Sequence, residues 1–239
     1  MLFPLRRVRN RLSKLERGTC RRIRIRCIHE KLRIRCRHMI QSANPAVTKK
    51  ATAASILVAA RELLDQEGLS AVAMRPVAER VGITPMAIYR HYADRASLLN
   101  AVADEGFREL AARVQSLQLK GNVEHRLTQV GNIFLDAAMQ SPNLYELMFL
   151  TPREGARVYP KDFEAGRSLT FNPSVSILEQ SMRAGELRPD NPVEIAFELS
   201  ALSHGLIVLY LGGRVAQTEK EFRSLHQRSF RRYLNGLRT

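Results

Sequence analysis

"RPVAERVGITPMAIYRHYADRASLL", Arg75 to Leu99, places many hydrogen-bonding side chains on a helix of barely two turns. Two short apolar-periodic segments flank Gly82, and a threonine, a proline and Tyr-Arg-His-Tyr follow. Val77, Ala78 and Val81 share one side of a helix expected over 74–81. Pro76 is tolerable in that helix because first-turn N–H groups have no intrahelical partner to lose. Gly82 can take positive φ at no steric cost and turn the chain sharply, with Ile83 filling the corner. Thr84 is a natural N-cap and Pro85 a natural first residue for a further helix over 85–91. Ile88 is its single apolar anchor, so the rest of its surface is free to face something other than a core.

Upstream, Ile56, Ala59, Ala60, Leu63 and Leu64 repeat at three and four and give a helix over 49–66, closed by Gly68. Two short helices joined by a tight glycine turn make a helix-turn-helix, whose second helix enters the DNA major groove with its N-terminal residues nearest the bases. In that geometry Thr84 and Tyr89 offer hydroxyls to phosphates, and His91, Tyr92 and Arg95 can donate to phosphates from the helix end and the next loop. Met86 and Ala87 suit a thymine methyl, and Arg90 suits guanine O6/N7. The helix N-terminus at Thr84 and Pro85 adds attraction for phosphate. For Tyr89 and Tyr92 the alternative is a core position with a satisfied hydroxyl.

Residues 56–99, "ILVAARELLDQEGLSAVAMRPVAERVGITPMAIYRHYADRASLL", resemble the DNA-binding domain of the TetR family of bacterial transcription regulators. The run Gly-Ile-Thr-Pro-x-x-Ile-Tyr-Arg-His-Tyr is specific as a unit, and Asp-Arg-x-x-Leu-Leu then opens a fourth helix. The resemblance implies that Thr84, Met86, Ala87, Tyr89, Arg90 and His91 face DNA, that Tyr92 is partly in the core and that Arg95 lies near a phosphate. The chain departs from the family at Ala73, where Ser or Thr often caps the second helix, and at Ala53 and Ala54, where a basic residue often stands; Lys49 and Lys50 are the nearby candidates.

Charge is unevenly placed. Of the net +15, residues 1–44 supply +12 and the remaining chain only +3, so bulk basicity describes a tail rather than the body. The tail, 1–44, is expected to be disordered, and Met39 is a candidate start. It holds all three cysteines, Cys20, Cys27 and Cys36, and a nine-residue repeat, IRIRCIH at 23–29 and LRIRCRH at 32–38. The spacing lacks the Cys-x2–4-Cys of zinc sites and arginines flank it, so no metal is expected. A cysteine-free body suits a reducing cytoplasm. The longest charge-free run, Leu199–Gly213, is too short and interrupted to span a bilayer.

Residues 122–238 read as helices again, broken by a loop over 151–165 and by "LRPDNP". They contain no P-loop, dinucleotide fingerprint or His-x-x-x-His spacing, so no cofactor and no enzyme activity is expected. Phe134, Tyr145, Met148, Phe149, Phe163, Phe171, Met182 and His204 are candidates for an apolar effector pocket, although residues of these types at helical spacing equally make plain core. Leu199, Leu202, Leu206 and Leu209, with Gly205 permitting close approach, form a helix-packing seam. "SPNLYELMF" and "ALSHGLIVLYLGG" resemble the ligand domain of the subgroup bearing a Trp-His-Gly signature, which implies a four-helix-bundle dimer; here Leu202-Ser203-His204-Gly205 lacks the tryptophan.

The expectation is an all-α protein: a basic tail (1–44), a helix-turn-helix domain (45–95) and a helical effector-binding and dimerisation domain (96–239). It would act as a cytoplasmic, ligand-responsive transcription regulator, a repressor dimer on a near-palindromic operator. Two other classes compete. A helical enzyme or small-molecule carrier with a vestigial DNA motif would bind or turn over ligand regardless of DNA. A nonspecific nucleic-acid binder would depend on the tail.

Overall fold

The computed structural model describes residues 45–238, with side chains from Thr52 onward; the basic tail and the side chains of Lys49 and Lys50 lie outside the described residues. Among the described residues the protein is helical throughout, without strands. α1 spans Pro45–Glu67, α2 Met74–Val81 and α3 Pro85–Ile88. α4 is Arg95–Gln115, α5 Val123–Gln140, α6 Pro142–Phe149, α7 Lys161–Glu164 and α8 Asn172–Arg183. The two long closing helices are α9, Pro192–Leu211, and α10, Glu219–Asn235.

The glycine turn forms as its sequence requires. Gly82 adopts φ 75°, ψ 32°, and its N–H caps the Ala78 and Glu79 carbonyls. α3 is shorter than its expected 85–91. The Ile88 carbonyl receives both the His91 N–H (2.8 Å) and the Tyr92 N–H (3.0 Å), so the chain leaves in a turn and residues 89–91 are no longer α-helical. α4 opens on a reciprocal cap: the Asp94 carboxylate accepts from Ser97 N–H (2.7 Å) and Asp94 N–H donates to Ser97 Oγ (3.1 Å). Further along, the segment expected as loop contains the short α7, and α8 begins at Asn172 with Pro173 in its first turn.

Three apolar clusters hold the described body together. The first joins α1–α4, through Ile56, Leu64, Val77, Ile88 and Leu98, to Leu144, Leu147 and Met148 of α6. The second packs α5, α8, α9 and α10 around Val130, Leu178, Leu199 and Phe230. The third sits where α5, α6, α9 and α10 meet, at Leu135, Tyr145, Ile207 and Phe222. Where helices cross closely a Cβ would make neighbouring side chains shift. One built on Gly106 of α4 would fall 2.6 Å from Met148 Sδ, and one on Gly131 of α5 would fall 3.1 Å from Phe230.

α6 therefore touches both halves of the body. Its outer contacts are polar: Asn143 Nδ2 donates to the Leu64 carbonyl (2.9 Å), and Arg61 Nη2 reaches Ser141 Oγ (3.3 Å) at the preceding corner. α9 is long and apolar enough to cross a membrane by length and composition alone. It nevertheless buries Ile195, Ala196, Leu199, Ser203 and Ile207 against its neighbours and carries Glu194 and Glu198.

Candidate functional site

Two surfaces carry the expected chemistry. The first is α3 and the turn after it. Ile88 is fully buried and pins the element, as a single apolar anchor should. Around it Met86 is 69% exposed and Tyr89 50% exposed, unusual for side chains of that size unless they meet a partner. Thr84 occupies the N-cap position with extended backbone, but its hydroxyl makes no capping bond; the Ala87 N–H bonds the Thr84 carbonyl instead (2.9 Å). That exposed hydroxyl, Pro85 and the Arg90 side chain all face solvent, with Ala87 and His91 half-buried beside them. Tyr92 is half-buried and packs on the first cluster, and burial raises its phenol pKa.

Arg95 is placed differently from its expected phosphate role. Its Nε donates to the Val72 carbonyl (2.6 Å) and its Nη2 to the Leu69 carbonyl (2.6 Å). It ties the start of α4 to the turn between α1 and α2, which orients α3 indirectly. A second arginine does similar work: Arg80 of α2 donates to Gln66 Oε1 (3.1 Å) and pairs with Glu62 (3.8 Å) and Glu67 (3.9 Å) of α1. Ala73 supplies no side-chain cap to α2.

The second surface is internal. A cavity of about 370 Å³ lies among α4, α5, α6, α8, α9 and the connection from 150 to 171. Of the candidate pocket residues, Phe134, Met148, Phe149, Phe163, Phe171 and His204 line it. Tyr145 and Met182 do not. Tyr145 is 1% exposed and packs on Phe149 with the rings tilted, 4.8 Å between centroids. Met182 packs against the second cluster instead.

Tyr145 and His204 form a close hydroxyl–imidazole hydrogen bond at Nδ1. Burial raises the Tyr145 phenol pKa, so this hydroxyl stays protonated. Burial, with the charge of His226 second, pulls His204 down to about 4, so the imidazole is neutral. Ser203, the residue before His204, bonds His226 Nε2 of α10 through its Oγ (2.8 Å), and His226 is likewise held at about 4 by burial and by Arg223.

Sequence periodicity missed the polar lining. Arg153, Arg157, Ser168 and Thr170 lie on the 150–171 connection. The usable signal was length: connections beyond about 12–15 residues are uncommon unless functional. On α9, Leu199 is 3% exposed and belongs to its own chain's core, so it is not available to a second chain. The apolar outward face runs instead through Gly205, Val208 (38% exposed), Leu209 (48%) and Leu211 (38%), with Leu202 and Leu206 half-buried at its edge. Outside contacts a Cβ on Gly205 would meet nothing within 4 Å.

These features define a helix-turn-helix protein with an all-helical C-terminal domain. Known proteins agree. The model of bacterial regulatory proteins of the tetR family matches residues 56–102, and that of the tetracyclin repressor-like C-terminal domain matches residues 127–235. An HTH-type transcriptional regulator of Bacillus subtilis (strain 168), YobS, is 23% identical over 182 residues, 76% of this chain and 90% of its own length. A protein of unknown function from Rhodococcus sp. RHA1 superposes with a TM-score of 0.66 at 23% identity, over 79% of this chain and 96% of its own. RolR, solved with its ligand resorcinol, superposes at 0.56 with 17% identity, over 77% of this chain and 89% of its own. The chain belongs to the TetR family. It is a ligand-responsive, DNA-binding transcriptional regulator.

Proposed function

We propose that the protein is a cytoplasmic repressor acting as a homodimer on a near-palindromic operator, and not an enzyme. The observation that carries this is the surface around Ile88: Thr84, Met86, Tyr89 and Arg90 are outward-facing while their helix is pinned from behind. Two copies of α3 would enter successive major grooves, about 34–36 Å apart. The second copy would be joined through the outer face of α9 around Gly205, Val208 and Leu209, and through α10, as a four-helix bundle. The Leu202-Ser203-His204-Gly205 segment supports placement within the Trp-His-Gly-signature subgroup.

The cavity is the effector site in this reading. Met148 and Phe149 line it, while Leu144 and Leu147 of the same helix pack against the DNA-binding core. A ligand that fits better when α6 is shifted would bias the position of α1 and α4, and so the spacing of the two α3 helices. It can do so only if it binds that state more tightly.

The test is to sequence the genomic fragments that the purified protein retains at physiological salt. A shared inverted repeat with half-sites one helical turn apart is expected. Retention without any common sequence, lost on removing residues 1–38, would mean a tail-driven nonspecific binder instead.

A further inference from the structure

Resting on the reading of the cavity as the effector site, we propose that its ligand is a small aromatic carboxylate, with the anionic group held between Arg153 and Arg157 and the ring against Phe107 and Phe149.

The charge of the lining points to an anion. Two guanidinium groups line the cavity and no carboxylate does. The Arg153 side chain is only 8% exposed, and its Nε is buried without a hydrogen-bond partner. Its ion pair, to Asp104, is long at 3.4 Å, and Asp104 is itself 62% exposed. A buried cation so weakly compensated is costly unless something else completes its shell. Arg157 commits Nε to the Arg167 carbonyl (2.7 Å), and among the described residues its terminal nitrogens have no hydrogen-bond partner. Arginine presents its N–H groups as a planar fork, which matches a carboxylate.

The walls set the rest of the ligand. Both guanidinium carbons lie over Phe107, at 5.2 Å for Arg153 and 5.7 Å for Arg157. Phe107 meets Phe149 edge-on at 5.3 Å, and Phe149 lies 4.6 Å from the His204 ring. An apolar aromatic surface therefore runs from the two cations to a neutral imidazole. With Nδ1 occupied by Tyr145, His204 keeps Nε2 for a polar group at the far end of the ligand. The volume lies near the lower limit of small-molecule sites, about 300–1,000 Å³, which suits a molecule of one ring with a short side chain.

The test uses the full chain and three sets of probes: benzoate, cinnamate and 4-hydroxycinnamate; their neutral amides; and phenethylamine as a cation of similar size. Binding is measured by calorimetry, and release of a retained DNA fragment is measured in parallel. At least one carboxylate should bind at least tenfold more tightly than its own amide, with phenethylamine not binding. Arg157→Gln, at an exposed position that leaves the core intact, should reduce the carboxylate-to-amide preference severalfold; Arg153→Met should do the same if thermal melting shows it folded. Equal or tighter binding of the amides, or no binding by any carboxylate at millimolar concentration, overturns the proposal. Should a carboxylate bind with the stated preference yet leave DNA bound, the ligand class stands and the effector reading fails. Should only a neutral or cationic probe release DNA, the effector reading stands and the ligand class fails.

Discussion

Arg90 and Tyr89 are neighbours on one surface with different expected duties. Arg90 can form two parallel hydrogen bonds to a guanine edge, so Arg90→Ala should cost about 1–3 kcal/mol at one base position and relax the preference there. Tyr89 offers a neutral hydroxyl to a phosphate; Tyr89→Ala should weaken binding to all sequences alike and leave its salt dependence nearly unchanged. Competition binding against a set of single-base operator variants separates the two, and unchanged binding by both variants would remove α3 from the interface. The buried histidines set a second behaviour at this scale. His204 and His226 are both held near 4, below the ordinary value of about 6.5. The unfolded chain takes up protons below pH 6.5 that the native state refuses, so stability falls as pH drops from about 6.5 to 4 and is unaffected by these groups above 7. His226→Leu should remove about 1.4 kcal/mol per pH unit from the slope of stability between pH 5.5 and 4.5. Denaturant melts across that range measure it; an unchanged slope would mean that His226 is protonated in the native state.

Individual helices show where local rules suffice and where they do not. α2 and the Gly82 turn follow from Pro76, the apolar spacing and the glycine, because each acts within a few residues. α3 stops at Ile88 although its pattern runs on to His91, because the Ile88 carbonyl is shared by two later N–H groups. That choice depends on how Tyr92 packs, which no local pattern encodes. α9 is apolar almost all round, so periodicity alone could not say which side faces inward. The packed structure turns Leu199, Ser203 and Ile207 in, leaving Gly205, Val208 and Leu209 out. Space around Gly205 is open in the single chain, so Gly205→Glu should keep the helical spectrum and melting temperature close to those of the parent. It should convert a dimer to a monomer by sedimentation and weaken operator binding at least tenfold. A dimer that survives this substitution would put the contact elsewhere.

At the level of the whole molecule, charge and recognition are separate. Residues 1–38 supply +12 of the net +15, while the exposed surface around Ile88, proposed to face DNA, carries few charges. Deleting 1–38 should therefore reduce the salt dependence of DNA binding and the affinity for random DNA, yet leave the preference for operator over random DNA within about threefold. Filter binding at several salt concentrations tests this; loss of the preference would place specificity in the tail. Much of the architecture was legible beforehand: an all-helical chain and two short helices around Gly82, expected over 74–81 and 85–91 and found over 74–81 and 85–88. These depend on short-range rules, namely helical periodicity, glycine and proline geometry, and capping, which act over one or two turns. Only the folded chain decided that Arg95 binds carbonyls of its own domain, that Tyr145 bonds His204 and does not line the cavity, and that Arg153 and Arg157 enter it from a long connection. Those placements join residues tens of positions apart through packing and hydrogen bonds, and nothing in the local spacing of the chain records which distant groups will meet.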